Sequence, residues 1–160
     1  SLPALPSVKV VRVETAQEML EAVAGEPADV AILAAAVADF RPQASARSKI
    51  PREDRPSSIE LEETPDVLAS VMARHDRPFV VGFAAETGAV ERAVEKAKRK
   101  GVDLMVYNDV TEPGSGFGSD TNRVVVIDSQ GETESWPMMS KAAVAERLIE
   151  RIFAELATLE

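Results

Sequence analysis

Two short runs of uninterrupted apolar residues, Val30-Ala31-Ile32-Leu33-Ala34-Ala35-Ala36 and Phe79-Val80-Val81-Gly82-Phe83-Ala84, constrain this chain more than any other feature. Each has the length of a strand and no wet face, so each reads as a strand buried on both sides. Such strands belong to sheets sandwiched between helices. Composition agrees, because 45% of residues are hydrophobic but only 4% aromatic, which leaves Ala, Val, Ile and Leu to fill the core. A chain of 160 residues suits one domain, residues 1–160, able to bury roughly two thirds of its unfolded surface.

Around these runs the pattern predicts further elements. Val8 to Val13 reads as a short strand. Thr15 followed by Glu18 forms a capping box for a helix through about Ala24, which Gly25, Glu26 and Pro27 end. Arg41 to Arg55, polar and basic with Pro42 and Pro51, reads as a long loop. Ser58 to Glu62 alternates as a strand, and Thr64-Pro65-Asp66 supplies N-cap, N1 proline and an acidic first turn for a helix to about Ala73. Thr87 is placed to cap a helix from Ala89 to Lys100 that Gly101 closes in the left-handed conformation. A strand follows at Val102 to Tyr107, then a Gly/Pro/Ser-rich loop from Asn108 to Asp120. Asn122 to Ile127 and Thr133 to Trp136 flank Ser129-Gln130-Gly131 as a hairpin, before a last helix from Ser140 to about Leu156. The expected fold is α/β: a Rossmann-like, mostly parallel sheet with helices on both faces and a late β-hairpin. Ligands of such sheets lie beyond the carboxyl ends of the strands, which selects Ala35 to Phe40, Phe83 to Thr87 and Asn108 to Asp120.

Several functions are excluded early. With no cysteine and one histidine, thiolate and multi-histidine metal sites cannot form, so any metal is held by oxygen. A formal charge of −9 argues against general nucleic-acid binding. No apolar run reaches the roughly 20 residues that span a bilayer, and Ser1 to Pro6 is no signal peptide, so no membrane association and a cytoplasmic location are expected.

Against that acidic background, Glu91 to Lys100 carries five of the 18 basic residues and two carboxylates, with Arg92, Lys96, Arg99 and Lys100 along one stripe. This is either a solvated amphipathic face or a phosphate-binding one. Asp39, at the exit of a buried strand, either holds a Mg²⁺ bridging phosphates or closes an Asx-turn. Lys49, in a loop with Arg41, Arg47 and Arg52, is either solvated or a mobile point charge for a phosphate. Gly114-Ser115-Gly116-Phe117-Gly118-Ser119 is glycine-rich but leads into a strand, not the helix that a dinucleotide fingerprint requires. His75 receives no role, and Trp136, Met138 and Met139 read as core or interface.

Taken in order, Ala35-Ala36-Val37-Ala38-Asp39-Phe40-Arg41-Pro42, Ser48-Lys49-Ile50, Thr64-Pro65-Asp66-Val67, Gly82-Phe83-Ala84-Ala85-Glu86-Thr87, Lys96 with Lys100, Asn108-Asp109-Val110 and Phe117-Gly118-Ser119-Asp120-Thr121-Asn122 resemble the ligase half of bacterial bifunctional coenzyme A biosynthesis proteins. The resemblance implies a CTP-dependent phosphopantothenate–cysteine ligase, fused in the full-length protein to a decarboxylase. In that family the carboxylate of 4′-phosphopantothenate attacks the α-phosphate of CTP, pyrophosphate leaves, and the amine of L-cysteine displaces CMP from the acyl-cytidylate. The resemblance assigns nucleotide contacts to Ala35, Ala36, Ala38 and Phe40. It gives Asp39 the divalent cation, Mg²⁺ or another, and the triphosphate, and gives Lys49 phosphate charge. Ile50, Pro65, Asp66, Val67 and Phe83 surround the cytidine, and Lys96 and Lys100 reach the nucleotide from their helix. Asp39 and Lys49 are the expected catalytic pair. The family has lysine after Ile50 where this chain has Pro51 and Arg52, so Arg52 is a candidate replacement.

The family's glycine-rich opening strand and its Asn/Ser/Gly segment find no match before Val8. The chain is therefore expected to be truncated at its amino end and inactive alone in ligation. A homodimer is expected from the resemblance and from the hairpin, whose Val124, Val126 and Trp136 need a cover. A non-catalytic nucleotide-sensing module is the alternative; the missing fingerprint disfavours a flavin- or nicotinamide-dependent oxidoreductase.

Overall fold

The computed structural model describes residues 7–44, 48–52, 57–115 and 118–159. The chain divides into two compact units, one of residues 1–27 and 36–71, the other of residues 28–35 and 72–160.

In the first unit the apolar segment from Val8 to Val13 is irregular and not a strand. Val8, Val10 and Val11 are each more than half exposed. A strand needs a neighbour to take its backbone donors, and no described residue pairs with this segment. Helix α1, Ala16–Ala24, begins where the capping residues place it: the Thr15 hydroxyl accepts from the Glu18 N–H at 3.1 Å. The Glu18 carboxylate accepts from the Glu14 N–H at 2.8 Å, one residue earlier than the reciprocal bond of a capping box. Where a long loop was expected after Phe40, strand β2, Phe40–Pro42, pairs antiparallel with β3, Leu61–Glu63, and Arg41 opposes Glu62. The Arg41 guanidinium donates to the Glu62 carboxylate at 2.7 Å, and such cross-strand pairs hold a short ribbon that local pattern alone does not reveal. Helix α2, Val67–Met72, starts later than Thr64-Pro65 suggested, because the Asp66 carboxylate accepts from the Ala69 N–H at 2.9 Å and makes Asp66 the cap. Thr64 donates its hydroxyl to the Ala38 carbonyl, and its N–H to the Asp39 carbonyl at 2.9 Å.

The second unit holds a five-stranded sheet of order β1-β4-β5-β6-β7, with β1 Val30–Leu33, β4 Phe79–Glu86, β5 Leu104–Asp109, β6 Thr121–Asp128 and β7 Thr133–Ser140. The β1–β4 and β4–β5 pairings are parallel; β5–β6 and β6–β7 are antiparallel. The sheet is thus mixed, not mostly parallel. Side chains alternate along β4 and β5. Phe79 and Val81, with Leu104 and Val106, face helix α4, Lys141–Leu159, in one cluster with Val144, Leu148 and Ile152. Val80, Gly82, Met105 and Tyr107 take the opposite parity, on the side of α3, Val90–Lys100, whose Ala93 and Ala97 are buried. Helices on both faces are thus observed.

Three expectations fail here for physical reasons. Among the described residues strand β1 pairs only with β4, which makes it an edge strand there, shorter than its apolar run, with Ile32 41% exposed. Thr87 does not cap α3; the N-cap is Ala89, with no side-chain bond. The hairpin leaves no bare apolar edge: Val124, Val126 and Trp136 are at most 2% exposed because α4 of the same chain covers them. Strand β7 also runs past Trp136 through Pro137 to Ser140, which an edge strand tolerates, since its outer donors have no ladder partner to lose. Burying a large apolar side chain such as Leu104 contributes roughly 1.5–3 kcal/mol, so this two-sided core is what fixes the ends of the strands in place.

Gly101 closes α3 at φ 68°, as its position predicts. At the start of β5 the Asp103 carboxylate takes two guanidinium bonds from Arg77, at 2.6 and 3.0 Å, and the Val80 N–H at 2.7 Å. The bond to Asp103 raises the Arg77 pKa against the opposing effect of burial. This knot ties the amino ends of β4 and β5 and leaves their carboxyl ends to the site.

Candidate functional site

The sequence-predicted residues divide between the units. In the first, Ala36, Ala38 and Phe40 line a cleft of about 340 Å³ together with Thr15, Ala16 and Thr64. Asp39 lies in the same segment, exposed, and its carboxylate meets no partner among the described residues. The Asx-turn reading of Asp39 thus finds no bond to support it. One carboxylate is enough for a Mg²⁺ that takes its remaining ligands from phosphates and water. Among the described residues no group of three or more carboxylate or histidine side chains could hold a metal alone. Lys49 and Ile50 are exposed, and Lys49 has no carboxylate partner among the described residues. Pro65 is half-buried, Asp66 exposed and spent in part on capping α2, and Val67 buried. Arg47 lies outside the described residues.

In the second unit Ala35 follows β1 and is exposed. At the carboxyl ends of β4 and β5, residues of one parity face α3. Glu86 ends β4, opposite Asp109 of β5. The Lys96 ammonium donates to the Glu86 carboxylate. Thr87, Arg92 and Val110 join Ala85 and Glu86 around a cleft of about 410 Å³. The Tyr107 hydroxyl donates to the Gly88 carbonyl. Burial first, then the negative charges of Asp109, Glu86 and Glu91, raises the Tyr107 pKa. The Asp109 pKa is lowered by bonds from the Thr111 hydroxyl, 2.6 Å, and N–H, 2.8 Å. The corner is therefore acidic, with Lys96 and Arg92 as its cations.

The helix stripe is partly as expected: Arg92 and Arg99 are exposed, while Lys96 and Lys100 are half-buried. Phe83 takes the other parity and packs against the α4 cluster, so the sheet does not bring it beside Lys96. Buried Asn108 shares that α4-side parity. The glycine-rich segment is held by its own bonds, Ser119 and Thr121 donating to the Gly114 carbonyl at 2.8 and 2.6 Å, and it leads into β6. Gly116 and Phe117 lie outside the described residues. Glu86 and Tyr107 are the site groups that sequence reasoning left without roles, and the alternation of β4 and β5 beyond the apolar run was the available signal; Arg92 joins them from the basic stripe of α3.

No helix among the described residues is long and apolar enough to cross a membrane. The chain is 40% identical over 158 residues to the coenzyme A biosynthesis bifunctional protein CoaBC of Vibrio vulnificus (strain CMCP6), a match covering 95% of this chain and 39% of that protein. The protein of the same name from Escherichia coli (strain K12) is 40% identical over 159 residues, with the same coverages of 95% and 39%. The chain therefore spans about two fifths of the length of these relatives. A crystal structure of the C-terminal domain of a coenzyme A biosynthesis bifunctional protein CoaBC superposes with a TM-score of 0.77 at 35% identity, covering 99% of this chain and 73% of that one. Residues 1–156 match the family of DNA/pantothenate metabolism flavoprotein C-terminal domains, and the chain belongs to that family.

Proposed function

We propose that this chain is the CTP-handling part of a ligase that joins 4′-phosphopantothenate to L-cysteine in coenzyme A biosynthesis, built on a Rossmann-like sheet. The observation that carries the reading is 40% identity across 95% of the chain to a bifunctional protein of that pathway. The local chemistry supports it. In the first unit Asp39 offers an unspent carboxylate to a divalent cation, Lys49 offers a charge to phosphate, and Ala36, Ala38 and Phe40 line a cleft. In the second, Lys96 and Lys100 are cations on α3 that a nucleotide phosphate can use. The substrate carboxylate attacks the α-phosphorus, the bond to pyrophosphate breaks, and the cysteine amine then expels CMP. Nucleotidyl transfer of this kind asks the protein for positioning and charge stabilisation and little covalent work.

Calorimetric titration with CTP, ATP and NADPH tests the reading. CTP should bind in a cation-assisted way, and Lys49→Ala and Lys96→Ala/Lys100→Ala should each weaken it by roughly tenfold or more, the scale of a lost charge-assisted hydrogen bond. Equal CTP affinity in the wild type and both variants would remove the site. The family resemblance further supports a homodimer, now with its contact surface away from the hairpin face that α4 covers; sedimentation with and without CTP checks it, and a monomer under both conditions would refute it.

A further inference from the structure

Glu86 puts a carboxylate beside one of the two α3 lysines assigned to the nucleotide. A negative charge at an anion site calls for a reason. We propose that Glu86 is a positioning residue for Lys96, holding its ammonium at the carboxyl end of β4; this rests on the reading of Lys96 as a nucleotide-binding lysine.

The placement of the pair carries the inference. A lysine has a flexible four-carbon stem, and fixing its ammonium costs rotamer entropy. Glu86 is a rigid anchor: it is the last residue of β4, in register with Asp109, and its carbonyl accepts from the Val110 N–H at 3.1 Å. The side chains of Lys96 and Glu86 are only 31% and 27% exposed, so water competes weakly for the contact. The nearby charges do not offer Lys96 a better partner. Asp109 is occupied by Thr111, and Glu91 lies in the exposed first turn of α3. The Tyr107 hydroxyl donates its hydrogen bond to the Gly88 carbonyl, and Arg92 is cationic. An ammonium has three donors, so a bond to Glu86 leaves others for phosphate. A Lys–Glu ion pair that sets a lysine on phosphates is a known solution in phosphoryl transfer.

A carboxylate that merely neutralised Lys96 would weaken anion binding, and its removal would tighten CTP. One that positions Lys96 does the opposite, and only through Lys96. Titration of the whole chain with Mg²⁺ and CTP is therefore compared for the wild type, Glu86→Ala, Lys96→Ala and the double variant. Glu86→Ala should weaken CTP roughly three- to tenfold, and the double variant should bind within about twofold of Lys96→Ala alone. Tighter or unchanged binding in Glu86→Ala, or losses that multiply in the double variant, would overturn the proposal. Glu86→Gln, which keeps an acceptor and the shape, carries the same test if the alanine variant does not fold, with a loss smaller than that of alanine expected. Competitive acetylation of lysines, read by mass spectrometry, needs no nucleotide. In Glu86→Ala, Lys96 should label several-fold faster relative to exposed Lys98, and an unchanged ratio would deny the pair. If the wild type binds no CTP, the nucleotide reading falls and the positioning role with it, while the labelling still reports whether the pair exists.

Discussion

Tyr107 is the sole tyrosine of the chain, so its ionisation can be followed by absorbance without assignment. Burial, then Asp109, Glu86 and Glu91, holds its pKa above the ordinary 10.0. The protein should therefore show a tyrosinate midpoint above that of the unfolded chain. The folded state disfavours the phenolate, so this contribution to stability is complete below pH 10.0 and is lost as pH rises through the higher folded value. Asp109→Asn should lower the midpoint only in part, because burial is the larger cause. A midpoint equal to that of the denatured protein, in the wild type, would mean that the acidic corner described for β4 and β5 does not form. At this scale the sequence was informative where a residue's own local conformation carried the argument, as for Thr15 capping α1 and Gly101 closing α3. It was silent where the partner comes from another element: nothing in the local sequence of Glu86 ties it to Lys96, ten residues on across a turn and onto a helix.

The β6–β7 hairpin turns on Gly131, at φ 89°, where an added Cβ would clash with Lys98 Cε and lie 3.2 Å from Val94 Cγ1. The lysine end can swing away, but the left-handed backbone costs an L-residue about 1–2 kcal/mol whatever the space. Gly131→Ala should therefore destabilise by about that much in urea unfolding, and no change in the midpoint would contradict the turn geometry. Trp136 lies under the Arg147 guanidinium, 4.6 Å from the ring centroid, and is 1% exposed. Trp136→Ala should cost about 3–5 kcal/mol of stability, a core effect. A stability close to that of the wild type would contradict the place of Trp136 in the core under α4. Elements with both a periodic body and a local stop signal were legible: α3 with Gly101, and the hairpin with its Ser-Gln-Gly turn. The failures share a cause. Whether Val8 to Val13 is a strand, whether β1 is central or at an edge, and whether Arg41 sits in a ribbon all depend on a pairing partner distant in sequence, and local periodicity carries no information about partners.

At the scale of the molecule, fold class and family were readable because ordered motifs sample the whole chain, whereas the mixed direction of the sheet depends on how the segment after β5 returns. Strands β4 to β7 with α3 and α4 come from the continuous stretch Met72–Glu160, but β1 is joined to them only across residues 34–78. The entropy of closing so long a loop is repaid by the short parallel ladder of β1 with β4, so β1 should dock late in folding and open first. Native-state hydrogen exchange should then show the amides of Ala31 and Leu33 exchanging through a smaller opening than those of Met105 and Val106, and equal protection would argue for one cooperative sheet. If β1 opens first, Ala34 and Ala35 lose their anchor while the rest of the sheet stands, and the backbone that follows β1 becomes the part of the site whose order is most easily purchased by a ligand.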